Sequence, residues 1–548
     1  MSAAGKPILT IKALTVDFLS EDAAVRAVDD VSFEVCEGET LVILGESGSG
    51  KSVSTGTVMG LIDCPPGDIV SGSLVFDGID LTALGQEGRR QLNGRRMAMI
   101  FQDPLAYLNP VISVGRQIEE VFESHQGGGT AASVRSKVVG LLERVGISDA
   151  AQRFHDYPHQ FSGGQRQRIM IAMAIALKPD ILIADEPTTA LDVSVQAQIL
   201  ELLQDLQRET GMALILITHD LEVAAAMADR IIVMNGGKVV ETGRAQDVFT
   251  RPTHAYTKRL MAAVPHASPA GPRIPQSEPG EVLLCVEHLS KHFTLAAGPF
   301  AAKREFRAVD DVSFTVGRGE TVGIVGESGS GKSSIARMLL RLSEPTAGRA
   351  LLAGEDIFTL QGRALNDYRR RVQMVFQDPF GSMNPRMTVS QIISEPWAIH
   401  RDILERPRWQ ERVVELLERV GLKPEHCGRY PHQFSGGQRQ RIAIARALAS
   451  DPELIVCDEA VSALDVSIQM QVIELLAELR QSLGLSYIFI THDLPIVRQF
   501  ADRVLVMKAG KIVEEGATEA IFESPCHDYT RVLLNAVPRP KWLAVEGR

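Results

Sequence analysis

Two copies of one glycine-rich octapeptide contain the first residues that could do chemistry. GESGSGKS occupies 45–52 and recurs at 326–333, each time after a short apolar run. Glycines let such a loop wrap tightly, so that its N–H groups and the following helix start can hold phosphate oxygens. The lysine would neutralise terminal phosphates, and the serine hydroxyl would bind Mg²⁺. The pattern predicts two nucleotide-binding loops, formed by Gly45, Glu46, Ser47, Gly48, Ser49, Gly50, Lys51 and Ser52 and by Gly326, Glu327, Ser328, Gly329, Ser330, Gly331, Lys332 and Ser333.

Two acidic pairs complete this chemistry. The apolar runs ILIADE and LIVCDE end in Asp185–Glu186 and Asp458–Glu459. Ligands of parallel sheets bind at the carboxyl ends of the strands, where both pairs are expected. We expect each aspartate to hold Mg²⁺ through water and each glutamate to polarise the attacking water. A lone acidic pair would be a solvated strand end, but beside a phosphate loop it indicates hydrolysis.

A histidine and a glutamine follow other apolar runs in each copy. His219 and His492 each lie 34 residues after the aspartate, where an imidazole could touch the terminal phosphate. Gln102 and Gln377 follow MAMIF and VQMVF, and an amide there can bind both Mg²⁺ and water and so sense whether nucleotide is present. The predicted catalytic residues are therefore Glu186, Glu459, His219, His492, Gln102 and Gln377. The predicted metal ligands are Ser52, Gln102, Asp185, Ser333, Gln377 and Asp458.

An internal repeat places these residues in two folding units. From the third shared motif onward the two copies keep a constant offset of 273 residues, so each unit has about 265 residues. Five prolines among the residues 265–280 favour an extended linker between the units. We predict a first domain at 1–264, a linker at 265–281 and a second domain at 282–548. The repeated motifs are FQDP (101–104, 376–379), YPHQFSGGQRQRI (157–169, 430–442), ITHDL (217–221, 490–494) and the tails HAYT and HDYT (254–257, 527–530).

Short runs rich in Ile, Val and Leu alternate with helical patterns in each copy. ETLVILG, ILIADE and ALILITH suit strands that are buried on both faces of a parallel sheet. The segment from about 115 to 156 is helical in pattern and would form a separate lobe. RIIVMNGGKVVETG predicts a hairpin that turns at Asn235–Gly236.

Composition excludes several classes of protein. Lys and Arg total 57 against 68 Asp and Glu, and the net charge of −11 disfavours a general grip on a nucleic-acid backbone. The sequence has no run of about 18 apolar residues, so we predict no membrane span. We also expect no export signal in the first residues. The six cysteines are scattered, which indicates reduced thiols.

Together these motifs resemble the ATP-binding cassette family of transport ATPases over nearly the whole chain. The most specific element is SGGQ at 162–165 and 435–438. In that family this signature caps the nucleotide held by the other cassette, so the resemblance implies two composite sites formed head to tail. One would join Lys51, Asp185 and Glu186 to Ser435, Gly436, Gly437 and Gln438; the other would join Lys332, Asp458 and Glu459 to Ser162, Gly163, Gly164 and Gln165. Phe18 and Phe293 match the aromatic residue that stacks on adenine.

The resemblance implies an α/β fold of two tandem phosphate-loop NTPase cassettes. Each would have a mainly parallel sheet core, an antiparallel β subdomain and a helical lobe. YPHQFSGGQRQR, the Asn-Pro pairs after FQDP and the P-x-H-x-Y-T tails are similar to the peptide/opine/nickel importer branch, in particular its fused glutathione- and dipeptide-type members. The implied function is that of an ATP-hydrolysing, energy-coupling subunit of an importer for di- or oligopeptides, glutathione or related solutes.

The same resemblance implies the cofactors, partners and location. ATP and Mg²⁺ would be bound, and two transmembrane permease subunits and an extracytoplasmic solute-binding protein would be partners. The chain would be peripheral, on the cytoplasmic face of the inner membrane. We expect no nucleic-acid partner, and no iron–sulfur cluster because the tails offer only Cys526.

Three alternatives remain open at this point. A soluble tandem cassette ATPase acting on ribosomes or nucleic acid is disfavoured by the acidic net charge and the short proline-rich linker. An exporter subunit is disfavoured by the peptide-importer motifs. A non-hydrolysing module is disfavoured because DEPTTALD in the first copy and DEAVSALD in the second both keep the acidic pair, so we expect the second site to stay active.

Overall fold

The computed structural model describes residues 5–19, 24–126, 130–189, 191–262, 280–295, 304–462 and 464–542. Within this part of the chain, contacts define two compact units. One is drawn from residues 1–191, 195–267 and 538–548, and the other from residues 192–194 and 268–537. The linker predicted at 265–281 lies outside the described residues except for its last two.

The first unit contains both long strands, which are partly exposed, and shorter strands. Their bounds are β1 (Pro7–Leu19), β2 (Ala24–Cys36), β3 (Thr40–Leu44), β4 (Gly67–Phe76), β5 (Ile79–Asp80), β6 (Met97–Ile100), β7 (Ile181–Asp185), β8 (Ala213–Thr218), β9 (Arg230–Asn235) and β10 (Lys238–Arg244).

Helices connect these strands or follow them. They are α1 (Lys51–Met59), α2 (Gln86–Leu92), α3 (Pro104–Tyr107), α4 (Val114–Gln126), α5 (Ala131–Arg144), α6 (Ala150–Arg153), α7 (Gly163–Ile175), α8 (Val193–Thr210), α9 (Leu221–Met227), α10 (Ala245–Thr250) and α11 (Ala255–Ala262), with a 3₁₀ turn at Pro158–Gln160.

The second unit repeats this series. Its strands are β11 (Val282–Leu295), β12 (Arg304–Gly317), β13 (Thr321–Val325), β14 (Ala347–Leu352), β15 (Glu355–Asp356), β16 (Val372–Val375), β17 (Leu454–Asp458), β18 (Ser486–Ile490), β19 (Arg503–Lys508) and β20 (Lys511–Ala517). Its helices are α12 (Lys332–Leu339), α13 (Gly362–Arg371), α14 (Val389–Ile399), α15 (Trp409–Arg419), α16 (Gly436–Leu448), α17 (Val466–Leu483), α18 (Leu494–Phe500), α19 (Thr518–Glu523) and α20 (Asp528–Asn535), with 3₁₀ turns at Arg406–Arg408, Pro424–Gly428 and Pro431–Gln433.

A six-stranded sheet forms the centre of each unit. Its order is β10-β9-β3-β8-β7-β6 in the first unit and β20-β19-β13-β18-β17-β16 in the second. All neighbours are parallel except the hairpin at one edge. Every residue of β3, β7 and β8 is buried, as expected for strands covered on both faces. The predicted mainly parallel core is confirmed.

The edge hairpin turns one residue later than the sequence predicts. Asn235 pairs with Lys238, so the turn residues are Gly236 and Gly237, with φ of 56° and 79°. Two left-handed residues in succession are typical of the tightest hairpin turns, and glycine adopts them without strain.

A four-stranded antiparallel sheet packs against the central sheet. Its order is β2-β1-β4-β5, repeated as β12-β11-β14-β15. In the first unit, the buried faces of β1 and β2 share one apolar core with β3, β7 and β8. This sheet is the predicted antiparallel subdomain.

Helices between the sixth and seventh strands form the predicted helical lobe. Val114, Ile118 and Phe122 recur every four residues along α4 and are buried. In the second unit, Trp397 of α14 is 1% exposed and shares a core with α15 and α16. Within the described residues, no helix is both long and apolar enough to cross a membrane.

Candidate active sites

Each predicted nucleotide-binding loop connects a fully buried central strand to a helix. Gly50, which directly precedes α1, has a φ of 93°, and a Cβ there would lie 2.4 Å from the carbonyl oxygen of Ala27 in β2. In the second unit, Gly331 has a φ of 107°, and its Cβ would lie 2.3 Å from the oxygen of Ala308. Only glycine fits these positions, because any side chain would be strained and would collide with the backbone of the antiparallel sheet.

The glycine at the hairpin turn links the loop to the antiparallel sheet. Gly237 N–H donates to the carbonyl of Ser49 (3.2 Å), and Gly237 C=O accepts from Asp29 N–H (2.8 Å). The second unit repeats this relay through Gly510, which bonds Ser330 (3.0 Å) and Asp310 (2.9 Å). One peptide segment therefore fixes the loop to both sheets.

The loop lysines are buried within their own loops. Lys51 Nζ donates to the carbonyls of Gly45 (2.7 Å) and Glu46 (2.9 Å). Lys332 Nζ makes the same bonds to Gly326 (2.6 Å) and Glu327 (2.8 Å). Burial lowers the pKa of Lys332. The carbonyls hold each ammonium group at the place where the sequence predicts a triphosphate.

The predicted metal-binding serine and aspartate meet in both units. Ser333 Oγ donates to Asp458 Oδ1 over 3.1 Å, and in the first unit the Ser52 hydroxyl lies near enough to Asp185 to lower its pKa. Burial raises the pKa of Asp185 and that of Asp458, and the serine hydroxyls oppose the rise. Hydroxyl and carboxylate oxygens are ligands that suit Mg²⁺, so these residues fit the ion that the sequence implies.

The two catalytic glutamate candidates have a left-handed backbone. Glu186 and Glu459 directly follow β7 and β17, with φ of 46° and 49°. A left-handed conformation costs a non-glycine residue about 1–3 kcal/mol and concentrates at functional sites. Main-chain bonds from Glu186 N–H to Ile217 (2.9 Å) and from Glu459 N–H to Ile490 (2.8 Å) hold them there.

Glutamine and histidine converge on each glutamate. Gln102 Nε2 donates to Glu186 Oε2 (2.8 Å), and His219 Nδ1 lies 3.1 Å from Glu186 Oε1. The structure thus brings together three residues predicted from separate motifs. Gln102 lies two residues beyond the end of β6, so the loop after the strand, and not the strand itself, carries the amide.

The second unit has the same arrangement. Gln377 Nε2 donates to Glu459 Oε2 (2.7 Å), and His492 Nδ1 lies 3.6 Å from Glu459 Oε1. Both glutamines contact the glutamate in this structure, where the sequence predicts contacts with Mg²⁺ and water.

Charge interactions keep both glutamates deprotonated. The His492 imidazole lowers the pKa of Glu459. Burial raises the pKa of Glu186, but the His219 imidazole lowers it and the net direction is down. Burial lowers the pKa of His492, which Glu459 raises above its usual value. Each glutamate is therefore favoured as the carboxylate, the form that a general base requires.

One hydroxyl distinguishes the two units. Thr189 Oγ1 donates to the carboxylate Oε2 of Glu186 (2.9 Å). The corresponding Ser462 Oγ bonds the main-chain oxygen of Glu459 instead (3.0 Å). No motif pointed to Thr189 as a site residue, although the change from TALD to SALD, which begins three residues after the glutamate, is visible in the repeat.

Thr189→Ala should lower ATP turnover by roughly three- to tenfold, because a hydroxyl bond to a charged group that positions the base is lost. Thr189→Ser should retain most of the activity. The matched change Ser462→Ala should have less effect, because the Ser462 hydroxyl does not bond the carboxylate. Steady-state ATPase rates of the three variants would test this, and equal losses for Thr189→Ala and Ser462→Ala would contradict it.

The two signature motifs begin helices. Ser162 Oγ accepts from Gln165 N–H (3.3 Å), and Ser162 N–H donates to Gln165 Oε1 (3.1 Å), which forms a capping box at the start of α7. Ser435 and Gln438 repeat it before α16. Ser162 and Ser435 are exposed, whereas Gln165 and Gln438 are half-buried, so each helix start is accessible to an anion beside its serine.

The predicted adenine-stacking residues lie near the ends of β1 and β11. Phe18 is half-buried against the first core. Phe293 is 43% exposed, with Lys291 Nζ 5.2 Å from its ring centroid. Their role toward adenine stays a prediction.

Comparison of the sequence with models of protein families identifies the family. The family model described as ABC transporter matches residues 28–189 and again 309–462, one stretch in each unit. The chain belongs to the ABC transporter family. A further model, described as the oligopeptide/dipeptide transporter C-terminal region, matches residues 240–285 and 513–546 of this ABC protein. These are the segments that contain its HAYT and HDYT tails.

Two relatives match this ABC protein over nearly its whole length. The glutathione import ATP-binding protein GsiA of Salmonella typhimurium is 46% identical over 561 residues, which cover 97% of this chain and 90% of that protein. The peptidoglycan transport ATP-binding protein YejF of Agrobacterium fabrum is 46% identical over 532 residues, with coverage of 97% and 96%. Two ABC ATPase cassettes are therefore fused in one chain.

Proposed function

We propose that this chain is the ATP-hydrolysing, energy-coupling subunit of a membrane importer for peptides or related small solutes, with glutathione and di- or oligopeptides as the leading substrates. The observation that carries the proposal is the pair of complete Gln–Glu–His sites, each followed by a tail that matches the oligopeptide/dipeptide transporter C-terminal region. One relative is named a glutathione import ATP-binding protein.

The hydrolytic step assigns a role to each converging side chain. Glu186 and Glu459 accept the proton of the attacking water, and Gln102 and Gln377 orient that water. The histidines hold the glutamates in the carboxylate form. Ser52 with Asp185 and Ser333 with Asp458 would hold Mg²⁺, which when bound neutralises charge on the phosphates.

We propose further that the sites are composite, as the family resemblance implies. Ser435–Gln438 would cover the triphosphate bound by Lys51, and Ser162–Gln165 that bound by Lys332. The exposed serine that caps each signature helix supports this assignment, because helix N-termini bind phosphate oxygens. A nucleotide-loaded structure in which Ser162 and Ser435 both lie far from the triphosphates would refute it.

Permease docking is assigned to the surface that follows each catalytic glutamine. In the first cassette, Leu105, Tyr107 and Val111 are exposed, Val111 by 78%. In the second, Phe380 is exposed, as is Phe376 directly before the glutamine. Exposed apolar side chains beside a nucleotide-sensing glutamine suit a surface that transmits motion to a membrane partner. The chain would then lie on the cytoplasmic face of the inner membrane, and a solute-binding protein would deliver substrate from outside.

Reconstitution with the cognate permeases and binding protein would test the proposal. In proteoliposomes, glutathione or a short peptide should stimulate ATP hydrolysis several-fold and accumulate inside. The same complex carrying Glu186→Gln and Glu459→Gln should do neither. ATPase activity that responds to ribosomes and ignores permeases and solutes would contradict the proposal and favour the soluble alternative.

A further inference from the structure

The tail motif P-x-H-x-Y-T recurs in both cassettes and has no place in the hydrolytic step. It occupies 252–257 and 525–530 and leads into the tail helices α11 and α20. The tyrosines Tyr256 and Tyr529 are each 5% exposed. Buried polar groups are normally hydrogen-bonded, so the two tyrosine hydroxyls are expected to have specific partners.

The tail of the first cassette is fixed to the edge hairpin. Glu241 of β10 accepts from the N–H groups of Thr253 (2.8 Å) and His254 (3.0 Å). His254 Nδ1 in turn accepts from Tyr256 N–H (3.2 Å), which caps the start of α11. The tyrosine is therefore held at its main chain as well as by its buried ring.

The second tail repeats these bonds with different residues at one position. Glu514 of β20 accepts from the N–H groups of Cys526 (2.6 Å) and His527 (3.0 Å). His527 Nδ1 accepts from Tyr529 N–H (3.0 Å). The geometry is thus kept although cysteine replaces threonine.

Both tyrosine hydroxyls reach the phosphate loops. Tyr256 Oη accepts a hydrogen bond from Glu46 N–H over 3.2 Å. The other end of the same peptide group, the Gly45 carbonyl, accepts from Lys51 Nζ over 2.7 Å. The peptide between Gly45 and Glu46 is therefore held at its N–H by the tail and at its oxygen by the catalytic lysine.

The second phosphate loop shows the same double hold. Glu327 N–H donates to Tyr529 Oη over 3.2 Å, and the Gly326 carbonyl accepts from Lys332 Nζ over 2.6 Å. Burial raises the pKa of Tyr529, so its hydroxyl stays protonated at neutral pH. Two separately packed sites thus show one arrangement.

The lysine cannot direct all three of its N–H donors to a triphosphate while it keeps both carbonyl bonds. An ammonium group has three donors, and two of them are used on Gly45 and Glu46. A triphosphate that draws Lys51 toward itself would weaken its bond to the Gly45 carbonyl. Gly45 has no side chain to limit rotation, and the tyrosine bond at the Glu46 N–H then helps to oppose reorientation of the Gly45–Glu46 peptide.

We propose that Tyr256 and Tyr529 are positioning residues for ATP hydrolysis, and that each keeps the second residue of its phosphate loop in place while the loop lysine transfers to the triphosphate. The inference rests on the proposed phosphate-binding role of Lys51 and Lys332. It also assigns the tail region a task at the nucleotide site.

The double variant Tyr256→Phe with Tyr529→Phe tests this in the full chain. The KM for MgATP should rise about five- to tenfold while kcat falls less than about threefold, because loss of one neutral hydrogen bond per site weakens the cradle without touching the base. In nucleotide-free protein, the Glu46 and Glu327 amides should exchange with deuterium about tenfold faster. Each single variant should affect only its own amide.

Tyr487→Phe is the matched control, because this buried tyrosine hydroxyl has no hydrogen-bond partner among the described residues. It should change neither KM nor amide exchange at the loops. Unchanged KM and unchanged exchange in the double variant would overturn the inference. A rise in KM that is matched by an equal fall in kcat, together with a lowered Tm, would also overturn it. Failure of the proposed nucleotide site is a separate result: ATP binding would survive Lys51→Ala with Lys332→Ala.

Discussion

Replacement of both Glu186 and Glu459 by glutamine should lower ATP turnover by roughly 10³-fold while ATP binding persists. A positioned general base contributes about 10²–10⁴-fold to a rate, and glutamine keeps the shape of the side chain but cannot accept the proton. The amide can still bond Gln102 and Thr189, which contact the carboxylate now. The loop lysines, which we propose bind phosphate, are untouched.

Steady-state hydrolysis and equilibrium binding of MgATP, measured on the same preparations, would check this prediction. The single variants should show whether each site turns over when its twin cannot. Glu201→Gln is a suitable control, because Glu201 is exposed on α8 beyond the site. Hydrolysis at the wild-type rate in the double variant would remove both glutamates from the role of base.

Arg480→Met should destabilise the second unit by about 3–5 kcal/mol, because it leaves a buried carboxylate without its cation. Arg480 Nη2 donates to Asp502 Oδ2 (2.6 Å), and the two side chains are only 4% and 10% exposed. The guanidinium also donates to the Gly319 carbonyl (2.7 Å) and to Thr321 Oγ1 (3.1 Å). Burial raises the pKa of Asp502. The Thr321 N–H and Arg480 oppose this rise but do not cancel it.

The first unit supplies the matched comparison. Gln207 stands at the position equivalent to Arg480 and donates to the Gly38 carbonyl (3.0 Å), while its side-chain oxygen accepts from Thr40 Oγ1 (2.9 Å). Gln207→Met removes neutral bonds only and should cost about 1–2 kcal/mol. Urea unfolding would measure both, followed by fluorescence of buried Trp397 for the second unit and by circular dichroism for the whole chain. Equal costs would contradict the expected penalty for leaving the Asp502 carboxylate without its cation.

Local motifs made the chemical residues predictable. The phosphate loops, the acidic pairs and the following histidines each belong to a short segment whose spacing fixes the chemistry. The convergence of Gln102 and His219 on Glu186 was not predicted, because it depends on β6, β7 and β8 being neighbours in the sheet, which the motifs do not specify. Two copies of each motif made accidental matches improbable.

Features set by tertiary contacts could not be predicted in the same way. The left-handed backbone of Glu186 depends on its bond to Ile217 in the adjacent strand, which no local pattern encodes. The different partners of the Thr189 and Ser462 hydroxyls follow from side-chain rotation. The tails were visible as a repeat, but their contact with Glu46 joins residues 210 positions apart.

The relay through Gly237 and Gly510 has a consequence for genetics. One backbone segment connects each phosphate loop to the antiparallel sheet by hydrogen bonds. Substitutions that disrupt this sheet should therefore weaken nucleotide binding even where the substituted residue does not contact ATP. A screen for transport-deficient alleles should therefore recover lesions in β2 and β12 whose biochemical phenotype mimics that of loop alleles. Second-site suppressors of such alleles should map to the hairpin turns.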